Sequence, residues 1–389
     1  MFFSIGAQKT NFSYHYKHGN FVINVDAGWK TSYDDNGNLL IYKGYIDNFN
    51  LQDKLKEIAN QEAPIFYGNF CLIKCFDGGV TIKTDRHRSF PLWYDKEFGL
   101  TNLTSLNYTC WTDSYVTIGN NYELIESKFD AIDCISTENI TFDELIECVD
   151  DILTKKITNF FTINKLPVNV YLSGGIDTML LYSYIKKLNI THTLIDYSHC
   201  DYDYFFLNNH DTLMNFWGYR QFHHWRYPCI LVSGAPGDEF TVRSPVTANL
   251  MLKFYNSSIP DLLSDPKYDN SMHSKYFADD KLKKTWKQHT QLKFDSLTDA
   301  IRYCLNLNLN DWQHWHLGQT LSYTPLRDSR IFNLICCLPS HLLKEQIMNS
   351  IVQKTLINKN SPNLLEYLSV YKNKNNHMSN LSKLFKHNR

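Results

Sequence analysis

No Gly-x-x-x-x-Gly-Lys-Ser/Thr segment occurs anywhere in this 389-residue chain. That excludes the phosphate loop of the common kinases and ATPases. Net charge is almost absent, with 39 Lys and Arg against 40 Asp and Glu, so no bulk field draws the protein to nucleic acid or to an anionic membrane. Nucleic acid is therefore not an expected partner. Long apolar runs are missing too; the longest are strand-length, which argues against a membrane span. Met1-Phe2-Phe3-Ser4 lacks the basic start and long apolar core of a signal peptide, so the expected location is cytoplasmic. The ten cysteines, at 71, 75, 110, 134, 148, 200, 229, 304, 336 and 337, form no Cys-x-x-Cys pair. They read as mostly buried thiols in a reducing compartment, with a zinc site as the alternative. There is no internal repeat and no low-complexity tract.

What is present is an aromatic-rich globular chain, too long for one ordinary core, so two domains are expected. Residues 1 to about 135 read as mainly antiparallel strand. Asn36-Gly37 and Asp77-Gly78-Gly79 are hairpin turn signals, and Asn50 to Asn60 is the one helix. Thr141-x-x-Glu144 is a capping box. It opens a helix through about Phe160, with Leu145, Val149, Ile152 and Ile157 on its apolar face. The boundary falls just before it, giving domains 1–140 and 141–389. In the second, strands Val168–Leu172, Thr191–Tyr197 and Cys229–Val232 alternate with helix, which implies a parallel sheet. Beyond about 245 the pattern is mostly helical.

Ser173-Gly174-Gly175-Ile176-Asp177-Thr178 stands between the first of those strands and an amphipathic helix running to about Leu188. Two glycines let the backbone approach an anion closely, and a helix start offers unpaired N–H donors at a positive dipole end. A second glycine turn, Ser233-Gly234-Ala235-Pro236-Gly237-Asp238-Glu239, follows the third strand. In an open parallel sheet, ligands bind at the carboxyl ends of the strands. Asp177 and Asp238 would arrive there together and could hold magnesium on a triphosphate; helix N-capping is the bland alternative for both. Nothing suits transfer of a γ-phosphoryl group, so attack at the α-phosphate with loss of pyrophosphate is the expected chemistry.

These residues resemble a family. Ser-Gly-Gly-x-Asp-Ser/Thr is similar to the signature loop of the N-type ATP pyrophosphatases, and the pairing with Ser-Gly-x-x-x-Asp-Glu resembles the asparagine synthetase-like branch. Tyr323-Thr324-Pro325-Leu326-Arg327-Asp328, followed by Cys337-Leu338-Pro339, resembles that branch's Arg-x-Pro-Phe-Leu-Asp segment. Tyr371-Lys372-Asn373-Lys374 resembles its late Trp-Arg-x-Lys stretch. Earlier in the chain, Lys43-Gly44-Tyr45-Ile46-Asp47-Asn48, Gly68-Asn69-Phe70, Asp85-Arg86-His87-Arg88 and Pro91-Leu92-Trp93-Tyr94 resemble segments of its glutaminase domain.

The resemblance implies an antiparallel, Ntn-type N-terminal domain and a parallel-sheet C-terminal domain like the adenine nucleotide alpha hydrolases. It implies ATP and Mg2+ as cofactors. Ser173, Gly174, Gly175 and Thr178 would hold phosphates, and Asp177 and Asp238 the metal. Judged by their strand-end position, Ile195, Asp196, Ser233 and Gly234 would lie near adenosine. Lys374 would stabilise charge on the AMP ester, unless it is an ordinary residue of the basic tail 372–389.

The departures are as informative. Phe2 stands where the family exposes a cysteine nucleophile, and Lys43 where it has an oxyanion-donating Asn, so the first domain is expected not to hydrolyse glutamine. Ala235 replaces a Glu that manages protons, and Leu321 replaces an acidic residue. Tyr323, His223-His224-Trp225 and His314-Trp315-His316 could supply acid/base help; a metal cluster or plain aromatic packing are the other readings of the histidines, and core packing that of Tyr323. Relatives without glutaminase activity, the β-lactam synthetases and lasso-peptide cyclases, adenylate a carboxylate and let an amine attack it. The expectation is thus an ATP-dependent, AMP-forming carbon–nitrogen ligase taking a small-molecule or peptide carboxylate and an amine donor. An ammonia-dependent asparagine synthetase, a non-catalytic scaffold and a nucleobase- or tRNA-modifying enzyme are the alternatives.

Overall fold

The computed structural model describes residues 3–7, 14–59, 66–85, 92–95, 99–101, 109–111, 115–128, 140–195, 228–234, 237–243 and 320–368. Within them the fold is mixed α/β, with two antiparallel sheets and one parallel sheet. The antiparallel strands are β1 (Phe3–Gly6), β2 (Tyr14–His18), β3 (Phe21–Val25), β4 (Lys30–Tyr33), β5 (Leu39–Ile46), β6 (Gly68–Phe76), β7 (Gly79–Thr84), β8 (Leu92–Asp95), β9 (Gly99–Thr101), β10 (Thr109–Trp111), β11 (Tyr115–Gly119) and β12 (Leu124–Lys128). They form two six-stranded sheets, ordered β10-β8-β9-β1-β3-β2 and β12-β11-β7-β6-β5-β4. Both hairpins read from the sequence are present, β4–β5 around Asn36-Gly37 and β6–β7 around Asp77-Gly78.

The sheets face one another across a single apolar layer. Phe3, Ile5, Phe21, Ile23 and Val25 of the first sheet meet Ile41, Ile73, Val80, Ile82, Val116 and Ile118 of the second. The alternate residues of β5 and β6 (Leu40, Tyr42, Leu72) pack on the opposite side against Leu51, Leu55 and Ile58. Those three come from a short 3₁₀ turn, Leu51–Lys54, capped by Asn50, and from helix α1 (Leu55–Ile58). A central strand buried on both faces reads as a nearly continuous apolar run, which is what Leu39-Leu40-Ile41-Tyr42 is.

Helix α2 (Phe142–Ile163) begins at the expected capping box: Thr141 Oγ1 accepts from the Glu144 N–H, and the Glu144 carboxylate accepts from the Thr141 N–H. Its apolar face (Leu145, Val149, Leu153, Ile157, Phe160) enters the largest core cluster of the described residues. Strand β13 (Val168–Tyr171), helix α3 (Ile176–Lys187), strand β14 (Thr193–Ile195) and strand β15 (Cys229–Val232) follow, close to the expected bounds. A fourth strand, β16 (Thr320–Tyr323), is one the sequence reading missed. Thr-Leu-Ser-Tyr has no apolar run to announce it; its place is set by pairing with β15 in register Val232↔Tyr323. The sheet runs β14-β13-β15-β16, all parallel. Short helices complete it: α4 (Gly237–Phe240), α5 (Ser329–Cys336), α6 (Ser340–Asn349) and α7 (Ile351–Asn360). Val170, Leu172, Ile230 and Val232 face α2, α3, α5 and α7, whereas Tyr171, Ile195 and Leu231 are buried on the other face.

The antiparallel and parallel parts meet around one buried cation. Lys156 of α2 sits 3.0 Å from Asp47, just past β5, and 3.2 Å from Asp328, the N-cap of α5. All three side chains are almost wholly buried. Arg330 adds a two-pronged contact to Asp328 at 2.9 and 2.6 Å. Burial works against charge on Asp328, but Lys156 and Arg330 outweigh it and hold its carboxyl well below the usual range. For Asp47 burial wins, and its pKa rises. Beside this group Tyr45 of β5, Phe160 of α2 and Tyr323 of β16 pack as one aromatic set, with Phe160 and Tyr323 stacked at 3.7 Å.

Of the described cysteines, 71, 75 and 229 are buried thiols, Cys336 and Cys337 half-buried, and Cys148 exposed. Burial alone pushes Cys75 up to about 12. No helix among the described residues is long and apolar enough to cross a membrane.

Removing Lys156 leaves two buried carboxylates without their shared counter-ion. Lys156→Met should cost about 3–5 kcal/mol in urea unfolding. Asp47→Asn introduced beside it should recover part of that loss, because one of the uncompensated charges is then gone.

Candidate nucleotide site at two glycine loops

The strand order puts β13 and β15 side by side, with the chain leaving β13 toward β14 on one side and β15 toward β16 on the other. Between such strands a crevice opens at their carboxyl ends, the usual ligand position of an open parallel sheet. The two glycine loops are the segments that leave these two strand ends.

They touch. A methyl group placed on Gly234 would lie 2.7 Å from the Thr178 backbone nitrogen and 2.9 Å from the Asp177 carbonyl carbon. One placed on Gly237 would lie 2.6 Å from Asp177 Cγ. Gly234 and Gly237 are joined by a hydrogen bond from the Gly237 N–H to the Gly234 carbonyl, at 2.7 Å. Only glycine lets the second loop rest directly on the first turn of α3. Gly174 has a different need: its φ of +77° lies in the left-handed region.

Ser173, Gly174, Gly175 and Thr178 form one compact turn. The Gly175 N–H donates to Ser173 Oγ at 3.2 Å, and Thr178 Oγ1 donates to the Gly175 carbonyl at 2.9 Å. Gly175 is the N-cap of α3, and no side chain among the described residues caps this helix. The start of α3 therefore keeps the donor-rich, positive character that receives phosphate oxygens. Ser233 and Gly234 are buried beside it, and Ile195 is buried at the end of β14.

Asp177, the second residue of α3, is buried and already engaged. Arg243 Nε and Nη2 both donate to Oδ2, at 3.0 and 2.7 Å, and Gln353 Nε2 donates to Oδ1 at 3.3 Å. Gln353 also donates to Thr241 Oγ1 at 2.6 Å, and Gln346 donates to the Thr241 carbonyl at 2.6 Å and to Gln353 Oε1 at 2.9 Å. Both glutamines are fully buried. Asp177 is thus the end of a relay reaching from α3 through the 241–243 segment to α6 and α7. A buried carboxylate that stabilises a guanidinium offers hard oxygens of the kind magnesium takes.

The other expected residues distribute as follows. Asp238 lies in α4 directly after Gly237, so its backbone stands beside Asp177. Asp196, Lys374, Phe2, Ala235 and both histidine clusters lie outside the described residues. Tyr323 is not brought to the loops as a side chain. Its ring is fully buried against Phe160 and Tyr45, and burial pushes its hydroxyl well above its ordinary pKa, with Asp47 adding to the rise. Its backbone does serve the site, since the Tyr323 carbonyl accepts from the Ser233 N–H at 3.0 Å. Leu321 is half-buried against the main core, a position that suits an apolar side chain.

Arg243, Thr241, Gln346 and Gln353 were not singled out from the sequence. Arg243 left a faint signal, a lone cation five residues after Asp238; the glutamines left none, because they act across a helix junction at Ser350.

Lys43 is buried with its Nζ 2.7 Å from the Ala27 carbonyl and 3.6 Å from Asp26. Burial lowers its pKa to about 8 against the pull of Asp26.

Two outcomes follow from these contacts. Gly234→Ala should destabilise by about 1–3 kcal/mol in denaturant, since its methyl meets backbone. Gly175→Ala, whose methyl meets only the Ser173 hydroxyl at 3.2 Å, should cost clearly less. Lys43 has a folded pKa near 8, below the ~10.4 of an unfolded lysine. The unfolded chain therefore binds the extra proton in that window, and stability contributed at this site rises with pH from about 8 to about 10.4. Unfolding of Lys43→Met, followed across that range, should lack this part of the rise, on the order of 2–3 kcal/mol.

No protein-family model matches the chain, and no curated protein matches it significantly.

Proposed function

We propose that the protein is an ATP-dependent, AMP-forming carbon–nitrogen ligase of the asparagine synthetase-like type, with its site at the meeting of the two glycine loops. One observation carries this reading: both loops leave the strands that flank the sheet's switch point, and they are in contact through glycines where no Cβ fits. The resemblance of the loops to the pyrophosphatase signature agrees with it. On this reading residues 141–389 form an adenine nucleotide alpha hydrolase-like domain and residues 1–140 a degenerate Ntn-type domain.

The residues fit a nucleotide and a metal. Ser173, Gly174, Gly175 and Thr178, with the uncapped start of α3, would bind the phosphates. Ile195, Asp196, Ser233 and Gly234 would border the adenosine. Asp177 and Asp238 would hold Mg2+, which would neutralise phosphate charge when bound. Lys374 would meet charge developing at the α-phosphate. A substrate carboxylate oxygen attacks the α-phosphorus and pyrophosphate leaves. The amine nitrogen then attacks the acyl carbon, AMP leaves, and the nitrogen loses its proton. Tyr323 would act here through its backbone and as a wall of the core.

The first domain would supply no ammonia from glutamine. Lys43 supports this independently of the chain's start, because its ammonium is tied to Ala27 and Asp26 where the family carries an oxyanion-donating Asn. The Asp177–Arg243 ion pair favours a second reading, a scaffold that keeps the fold without turnover.

Pyrophosphate and AMP release should be followed with Mg2+-ATP across carboxylate–amine pairs, including aspartate with ammonium. Turnover should appear with one such pair, stay independent of glutamine, and fall at least about 100-fold in Asp177→Ala. Undiminished turnover in that variant would sink the site assignment. Absence of Mg2+-ATP binding by calorimetry would favour the scaffold.

A further inference from the structure

We infer that Arg243 is a binding residue for the nucleotide's polyphosphate, and that its ion pair with Asp177 is the form the site holds between ligands. This rests on the ATP reading above. In the filled site the Asp177 carboxylate exchanges the guanidinium for the metal, and the guanidinium turns to phosphate oxygens.

The contact itself is the first argument. Arg243 uses two donors on one oxygen, Oδ2, and leaves Oδ1 to the longer Gln353 contact. A permanent Arg–carboxylate pair commonly uses two parallel bonds to two oxygens, as Arg330 does with Asp328. The same fork that fits a carboxylate fits a phosphate.

The backbone is the second. Val242, the residue before Arg243, is buried and has a φ of +48°. A β-branched side chain in the left-handed region is a real outlier, and such conformations persist where the surroundings enforce them. Here they are enforced from one side. Thr241 is fixed by its N–H and Oγ1 to the Gly237 carbonyl at 2.9 and 2.7 Å, and by Gln346 and Gln353. A rigid anchor at Thr241 and a strained residue after it make Val242 the hinge about which Arg243 is aimed.

The third argument is what remains when Arg243 leaves. Gln353 stays on Asp177 Oδ1 and is itself held by Gln346. The carboxylate keeps its position at the second residue of α3, within a turn of the phosphate-loop donors. Arg243 therefore has a short path from the carboxylate to an anion at the helix start.

Calorimetry of the full chain with inorganic pyrophosphate, with and without Mg2+, tests this against Arg243→Met and Asp177→Asn. Arg243→Met should weaken Mg2+-pyrophosphate by at least about tenfold, the loss of a charge-assisted contact, and should bind Mg2+ alone more tightly than wild type. Asp177→Asn should bind metal-free pyrophosphate more tightly, and that gain should vanish in the double variant. If Arg243→Met does not fold, as near-UV circular dichroism will report, the double variant against Asp177→Asn carries the comparison, since neither partner is then left uncompensated. Unchanged pyrophosphate affinity on loss of Arg243 overturns the inference and leaves the ATP reading standing. A wild type that binds neither pyrophosphate nor ATP with Mg2+ overturns both.

Discussion

Lys156 holds the described structure together at its most vulnerable point. It lies on α2, yet both its carboxylate partners come from elsewhere: Asp47 from the end of an antiparallel strand, Asp328 from the cap of α5. Desolvating three charges is expensive, and the arrangement survives because the third member is further satisfied. Asp328 accepts from Arg330 through both oxygens and caps α5 through the Arg330 N–H. Asp47 has no such help, which is why its pKa rises while that of Asp328 falls. The trio thus joins a carboxylate that both Lys156 and Arg330 contact to a second, Asp47, that ties Lys156 to the antiparallel part.

That joint also fixes the site. Asp328 lies five residues after Tyr323, the last residue of β16, and the Thr324 N–H donates to the Tyr45 hydroxyl across the same boundary. The Tyr323 carbonyl in turn holds the Ser233 N–H. An unbroken chain of contacts runs from Lys156, through the end of β16, to the start of the second glycine loop. From there the absence of a Cβ at Gly234 and Gly237 transmits position to Thr178 and Asp177. The loops are set by backbone contact, whereas the acid at their junction is set by side chains.

That difference explains what could be read in advance. The capping box at Thr141, strands β13 and β15, the two hairpins and the paired glycine turns are local patterns, and each was legible. Strand β16 was not, because Thr320 to Tyr323 becomes a strand only by pairing with β15. Tyr323 reads from the sequence as an acid/base candidate or as core packing; its ring is in the core, and its stacking partner, Phe160, lies 163 residues away. Arg243 and the two glutamines acquire meaning only through Asp177, and nothing in their own neighbourhoods signals it. Lys43 was legible as a departure from a pattern, but its cost is a property of burial that a sequence does not display.

Three buried or half-buried cations among the described residues, Lys156, Lys43 and Arg243, sit in distinct settings, and their partners tell them apart. Lys156 is shared by two carboxylates and its pKa is raised despite burial. Its charge is part of the folded state, and nothing that binds elsewhere could replace it. For Lys43 burial outweighs the pull of Asp26 at 3.6 Å, so its pKa falls to about 8. It fills space at a net cost. Arg243 cannot shed its proton at all, so it can be relieved only by changing partners. Of the three it is the one preceded by a strained hinge, and Gln353 stays on its carboxylate when the guanidinium leaves. Among these cations, it is the one built for exchange.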